Sequence, residues 1–231
     1  MADALLFDFF GTLVSYSPSW TEQGFHKTHA VVRSYGCALE YQQFLDEWSR
    51  VISRFAEEAA ITDREYSLNE VSEAFLRAVL SRNASAAEVD EVLASYMAEW
   101  NTGVTNLDGI PSLLQSLAER YRLAIISNTN EPRLVPHLLE AMGVLSCFQS
   151  LTLSIELGWR KPNPAIFTAA LDSIGVDASR AIVVGDSYLA DYLGAKRSGI
   201  RGLLIDPDRL HPIPPKDRLS SVFEIAALLE K

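Results

Sequence analysis

Short apolar runs and amphipathic stretches alternate over the C-terminal half of the chain. From about Asp108 onward, "RLAIISN", "SLTLSI", "RAIVVGD" and "RGLLID" are strand-like, and each ends in a polar or turn residue. Between them, apolar residues recur at helical spacing in "GIPSLLQSLAERY", "EPRLVPHLLEAMG", "NPAIFTAALDSIG" and "YLADYLGAKRSG". Such alternation builds a parallel sheet with crossover helices. "ALLFDFF" adds one more strand, isolated at the N-terminus.

The stretch between has a different texture. From Tyr16 to Thr105 there is almost no strand signal, and "FLDEWSRVISRFAEEA", "LNEVSEAFLRAVLSR" and "AAEVDEVLASYMAEW" carry helical periodicity, with Ser67 and Ser85 as N-caps. The pattern predicts an α/β protein. A Rossmann-like parallel sheet core is expected from residues 1–15 and 106–231, with an α-helical cap over 16–105. The tail "DPDRLHPIPPKDRL" reads as a Pro-rich surface connection to a final helix "SVFEIAALLE", with His211 solvated.

Composition narrows the function. In 231 residues, 48% are hydrophobic, enough for a packed core, and the formal charge is -10. That acidity argues against nucleic acid as a partner, because phosphate backbones call for clustered Lys and Arg. An anionic ligand must be met by a local positive site. Cys37 and Cys147 have no paired spacing and read as buried free thiols. No stretch approaches the roughly 18 apolar residues of a membrane span, and the N-terminus has no leader pattern. A cytoplasmic monomer or homodimer is expected.

Ligands of open α/β sheets bind at the carboxyl ends of the strands, where Asp8, Ser127 and Asp186 are expected to converge. "FDFFGTL", "IISN", "RKP" and "VGDSYLAD", in this order and each on its strand or loop, resemble the haloacid dehalogenase superfamily over nearly the whole chain, in the form with a helical cap after the first strand. The resemblance implies a nucleophilic carboxylate at Asp8, forming a covalent intermediate. Gly11 permits a tight turn, and Thr12 offers a hydroxyl to an anion or to Asp8. Ser127 and Asn128 offer a hydroxyl and an amide to a substrate anion, although Ser-Asn after a strand also serves as turn chemistry. Lys161 would hold the substrate anion and the Asp8 carboxylate together; Arg160 beside it is read as surface. The implied metal is Mg2+, held by Asp8, Asp186 and the backbone carbonyl of Phe10. Asp191 stands behind it, contacts Lys161, or is merely a helix cap.

Phe10 complicates the assignment. In the family's phosphatases an acid at this position protonates the leaving oxygen and then activates water; phenylalanine does neither. Three readings follow. The first is Mg2+-dependent phosphoryl chemistry on a small phosphorylated metabolite, with a cap-side acid (Tyr16, His26 or Lys27) or a leaving group that departs unassisted. The second is 2-haloacid dehalogenation, whose halide needs no proton and whose enzymes carry an aromatic residue at the position of Phe10. Those enzymes use no metal and lack the first acid of the fourth motif, and their cap arginine for the substrate carboxylate has no clear counterpart here, Arg33, Arg50 and Arg54 being the candidates. The third is a catalytically impaired member that binds a phosphorylated ligand or a partner. Retention of Asp186 favours the first.

Overall fold

The computed structural model describes residues 2–17 and 24–229. The chain divides into two compact units, one of Met1–Ser15 with Asn106–Lys231 and one of Tyr16–Thr105.

The first unit is a six-stranded sheet. Its strands are β1 (Ala4–Phe7), β4 (Arg122–Ser127), β5 (Phe148–Leu153), β6 (Ala181–Gly185), β7 (Arg201–Ile205) and β8 (Arg218–Leu219), in spatial order β5-β4-β1-β6-β7-β8. Every neighbouring pair is parallel. β1 is central, with Phe7 paired to Ile125 on one side and Val184 on the other. Strands covered on both faces read as continuous apolar runs, and all residues of β1 and β6 are buried. Strand order reverses direction at β1, which opens a crevice at the carboxyl ends of β1, β4 and β6.

Two segments depart from the expected pattern. "YLADYLGAKRSG" is not one regular helix: a π-helical turn spans Tyr188–Leu193 before a short α-helix at Gly194–Arg197. Wide turns of this kind interrupt α-helices at functional sites, and this one carries Asp191. The tail is more than a surface connection. Its β8 extends the sheet, the buried Asp206 carboxylate accepts from the N–H groups of Leu210 and His211 and pairs with Arg218, and the half-buried His211 ring stacks on Tyr188 with centroids 4.5 Å apart. The final helix, Ile225–Leu229, follows a 3-10 turn, and Glu230 of its predicted span lies outside the described residues.

The second unit packs four helices, His26–Ser34, Tyr41–Thr62, Leu68–Leu80 and Ala86–Trp100. They meet over an aromatic core in which Trp48 stacks on Tyr96 (4.6 Å) and lies 5.0 Å from Phe75. Ser67 and Ser85 cap their helices in reciprocal capping boxes with Glu70 and Glu88. Helix His26–Ser34 has no side-chain cap at Phe25 and no acid in its first turn. Glu99 compensates from the last helix, accepting from Lys27 N–H (2.8 Å), Thr28 N–H (2.9 Å) and Thr28 Oγ1 (2.7 Å). Glu99→Ala strands two buried donors of Thr28 and the part-buried Lys27 N–H, and removes the anion from a helix N-terminus. It should lower stability by about 2–3 kcal/mol, read as a shifted urea midpoint at unchanged slope.

Short strands β2 (Val14–Tyr16) and β3 (Val104–Asn106) form a separate two-stranded sheet. Cys37 is buried, Cys147 only half-buried, and neither forms a disulfide. Among the described residues, no helix is long and apolar enough to cross a membrane.

Candidate active site

Four pieces of chain, none contiguous with the next, meet at the rim of the sheet. Asp8 directly follows β1, and its N–H donates to the carbonyl of Val184 at 2.9 Å, which continues the strand pairing and fixes where the carboxylate emerges. Its Oδ1 accepts from Lys161 Nζ at 2.7 Å, and its Oδ2 accepts from Thr12 Oγ1 at 3.2 Å. Lys161 Nζ also donates to Asp191 Oδ1 at 2.6 Å, so one ammonium joins two buried carboxylates. The other oxygen of Asp191 accepts from Ser187 N–H at 2.9 Å.

Local geometry explains the glycines. The turn after Asp8 closes through Gly11 N–H to Val14 O (2.8 Å) and Leu13 N–H to Phe9 O (2.9 Å). Gly11 has φ of +82°, and a Cβ there would stand 2.1 Å from Asp186 Oδ2, so both conformation and the approach of Asp186 demand glycine. A Cβ on Gly185 would meet Asp191 Cγ at 2.3 Å. Phe10, in the same turn, is half-buried with its ring edge-on to Phe9, centroids 5.0 Å apart.

Ser127 ends β4 fully buried, and its Oγ has no hydrogen-bond partner among the described residues. Buried hydroxyls without partners are costly, and one at a ligand-binding rim suits an anion acceptor. Asn128 differs from the expectation that its amide meets an anion. Its Nδ2 donates to the Lys161 carbonyl (3.0 Å) while its Oδ1 accepts from Lys161 N–H (2.7 Å), so the amide holds the lysine's backbone in place at both ends. Arg160 is half-buried.

Three carboxylates share this rim. One oxygen each from Asp8, Asp186 and Asp191 lie within 4.8 Å of one another, with Asp8 and Asp191 buried and Asp186 exposed. Burial pushes the Asp8 carboxyl up to about 7, against the pull of Lys161 and with added repulsion from Asp191 and Asp186. Asp186, although exposed as a whole residue, has a carboxyl turned into the rim and is raised as well, by partial desolvation there and then by Asp191. Burial alone would lower Lys161, yet Asp191 and Asp8 more than offset it and hold the ammonium above the usual lysine range. One cation for three acids leaves the cluster short of positive charge. Oxygen donors at this spacing fit a hard divalent ion such as Mg2+.

Sequence reasoning missed the braces behind these groups. Ser187, whose N–H holds Asp191, lay in plain view inside "GDSYLAD". Ser154 had no signal: its Oγ accepts from Thr129 N–H (2.9 Å) and donates to Thr129 O (3.2 Å), fixing the loop after Ser127 across 25 residues of sequence.

Of the expected cap-side candidates, the rings of Tyr16 and His26 pack within the helical unit, whereas Lys27 is exposed and is held there through its backbone. Tyr16 lies against Trp100, His26 stacks on Tyr41 at 3.9 Å, and Lys27 N–H donates to Glu99. Arg50 pairs with Glu47, and the Arg54 guanidinium lies 5.5 Å from the Phe55 ring centroid. Residues 18–23 of the segment that follows Tyr16 lie outside the described residues.

An aspartate just past the first strand, a lysine bridging it to a second buried acid and a third acid just past the neighbouring strand of a Rossmann-like sheet together define a hydrolase class. The chain belongs to the haloacid dehalogenase-like hydrolase family, whose model matches residues 2–199. Among curated relatives, it is 35% identical over 127 residues to haloacid dehalogenase-like hydrolase domain-containing protein 3 of Danio rerio, covering 53% of this chain and 52% of that one. It is 36% identical over 118 residues to phosphoglycolate phosphatase of Rhodospirillum rubrum, covering 51% and 48%. The chain thus spans about half the length of these relatives. In fold it resembles 2-haloacid dehalogenase from Pseudomonas syringae, with a TM-score of 0.71 at 21% identity over 100% of this chain and 99% of that one.

Proposed function

We propose that the protein is a Mg2+-dependent phosphoryl hydrolase of small phosphorylated metabolites that works through an aspartyl-phosphate on Asp8. The observation that carries this reading is the cluster of Asp8, Asp186 and Asp191 oxygens within 4.8 Å, of which Asp8 and Asp191 share a single buried lysine. A dehalogenase has no use for three gathered acids, because halide leaves without metal. The relative named phosphoglycolate phosphatase also supports phosphoryl chemistry, whereas the likeness to a dehalogenase concerns the fold alone.

Mg2+ at Asp8, Asp186 and the Phe10 carbonyl would neutralise the acids and polarise a substrate oxygen. The chain's own residues supply the rest. Lys161 and Asn128 hold the Asp8 carboxylate in place, Thr12 steadies its second oxygen, and the unpartnered Ser127 hydroxyl donates to a phosphoryl oxygen. Asp191 anchors Lys161. A panel of phosphate esters and 2-haloacids, assayed with Mg2+ and with chelator, tests the reading. Phosphate release that disappears with the metal supports it; halide release that survives chelation overturns it.

The same cluster makes stability depend on metal and pH together. The folded-state pKa of Asp8, about 7, lies above the ordinary 3.8. Its protonation therefore stabilises the metal-free fold fully below 3.8, and that contribution is lost as pH rises through 7. A divalent ion binds the ionised form, so protons compete with it. Saturating Mg2+ should add about 2–3 kcal/mol at about pH 8 and much less at about pH 5.5, read as a thermal-shift difference. An equal shift at both would contradict Asp8 as a ligand.

A further inference from the structure

We propose that this site selects phosphorylated substrates whose leaving oxygen departs as a stable anion, acyl phosphates foremost, and discriminates against alkyl phosphates. The inference rests on the phosphoryl reading above and deepens it. An alkoxide cannot leave without a proton, and residue 10 has none to give. The neighbouring polar groups are already engaged. Thr12 Oγ1 donates to Asp8, Lys161 Nζ donates to Asp8 and Asp191, Asp191 accepts at both oxygens, and the Asn128 amide is bonded at both ends. Ser127 Oγ is unpartnered, but an aliphatic hydroxyl is a weak acid. Of the core unit's two histidines, His211 stacks on Tyr188 and His137 lies on helix Leu134–Ala141.

With an acyl phosphate the chemistry closes without an acid. A lone pair of Asp8 forms the new O–P bond as the bond between phosphorus and the leaving oxygen breaks, and the pair departs on a carboxylate, whose conjugate acid has a pKa of about 4. Water then attacks phosphorus, the P–O bond to Asp8 breaks, the carboxylate is restored, and the water proton passes to solvent with inorganic phosphate as product. No base at residue 10 activates that water, so the second step is slow and the aspartyl-phosphate accumulates.

Rapid-quench kinetics on the unmodified protein with Mg2+ test this, using acetyl phosphate, substituted phenyl phosphates and glycerol phosphate. The expected result is a fall in kcat/KM of at least about 100-fold from acyl to alkyl substrate, the lower bound of what a general acid supplies. It is accompanied by a burst of about one equivalent of acetate ahead of inorganic phosphate. Metal-dependent turnover of glycerol phosphate as fast as acetyl phosphate would overturn the proposal and leave the phosphoryl reading standing. Halide release from 2-haloacids with no phosphate release from any substrate would sink that reading itself.

Discussion

Replacing Asp8 with Asn should cut phosphate release by about 1000-fold or more, the scale of losing a covalent nucleophile whose partners remain in place. Asparagine has nearly the same shape: its one oxygen can still accept from Lys161, and its NH2 can donate to the Thr12 hydroxyl, which turns to accept, so the site keeps its form. Stability should move the other way. Above about pH 7 the buried Asp8 carboxylate is ionised at a cost, since its folded-state pKa has been raised from 3.8 to about 7. The neutral amide escapes that cost, and Lys161 retains Asp191. In chelator at about pH 8, the variant should melt no lower than the parent protein. Loss of activity together with loss of fold would instead make Asp8 a structural residue.

The second large effect is a gain. Phe10→Asp restores a group able to protonate a leaving alkoxide and then to activate water, and each such role is worth 10²–10⁴-fold. For alkyl phosphates kcat/KM should rise at least about tenfold, with a much smaller change in kcat/KM for acyl phosphates, whose leaving group needs no proton; on acyl phosphates the restored base should instead raise kcat and abolish the burst. Phe10 is half-buried, and its edge-on contact with Phe9 is worth about 1 kcal/mol. The fold should therefore tolerate the change. Unchanged alkyl phosphate turnover in a folded variant would mean that proton transfer does not limit the rate.

The parallel sheet was legible because its strands are buried on both faces, so runs such as "RAIVVGD" carry their own signal, and each ends on a polar residue at the rim. Ser67 and Ser85 were legible for a similar reason: a capping box places both partners three residues apart. Contacts between distant segments were not. Glu99 caps a helix some 70 residues upstream, and Asn128 grips the backbone of Lys161 across 33 residues; neither residue type announces its partner. The π-turn at Tyr188–Leu193 was missed because its residues have an ordinary helical pattern, and only the position of Asp191 reveals the extra width. The three-residue strands β2 and β3 are too short for any period to register. Motif residues such as Asp8, Lys161 and Asp186 could be named from sequence, and the contact of Lys161 with Asp191 stood among the alternatives, whereas choosing that contact and finding the orphaned hydroxyl of Ser127 required the fold.

The most direct measurement is the mass of the Asp8-containing peptide after the protein is mixed with acetyl phosphate and quenched in acid within the first turnover. A phosphoryl increment on Asp8, present with Mg2+ and absent with chelator, is the predicted result. An unmodified Asp8 under both conditions, while 2-haloacids release halide in chelator, would contradict the assignment of phosphoryl chemistry to this site.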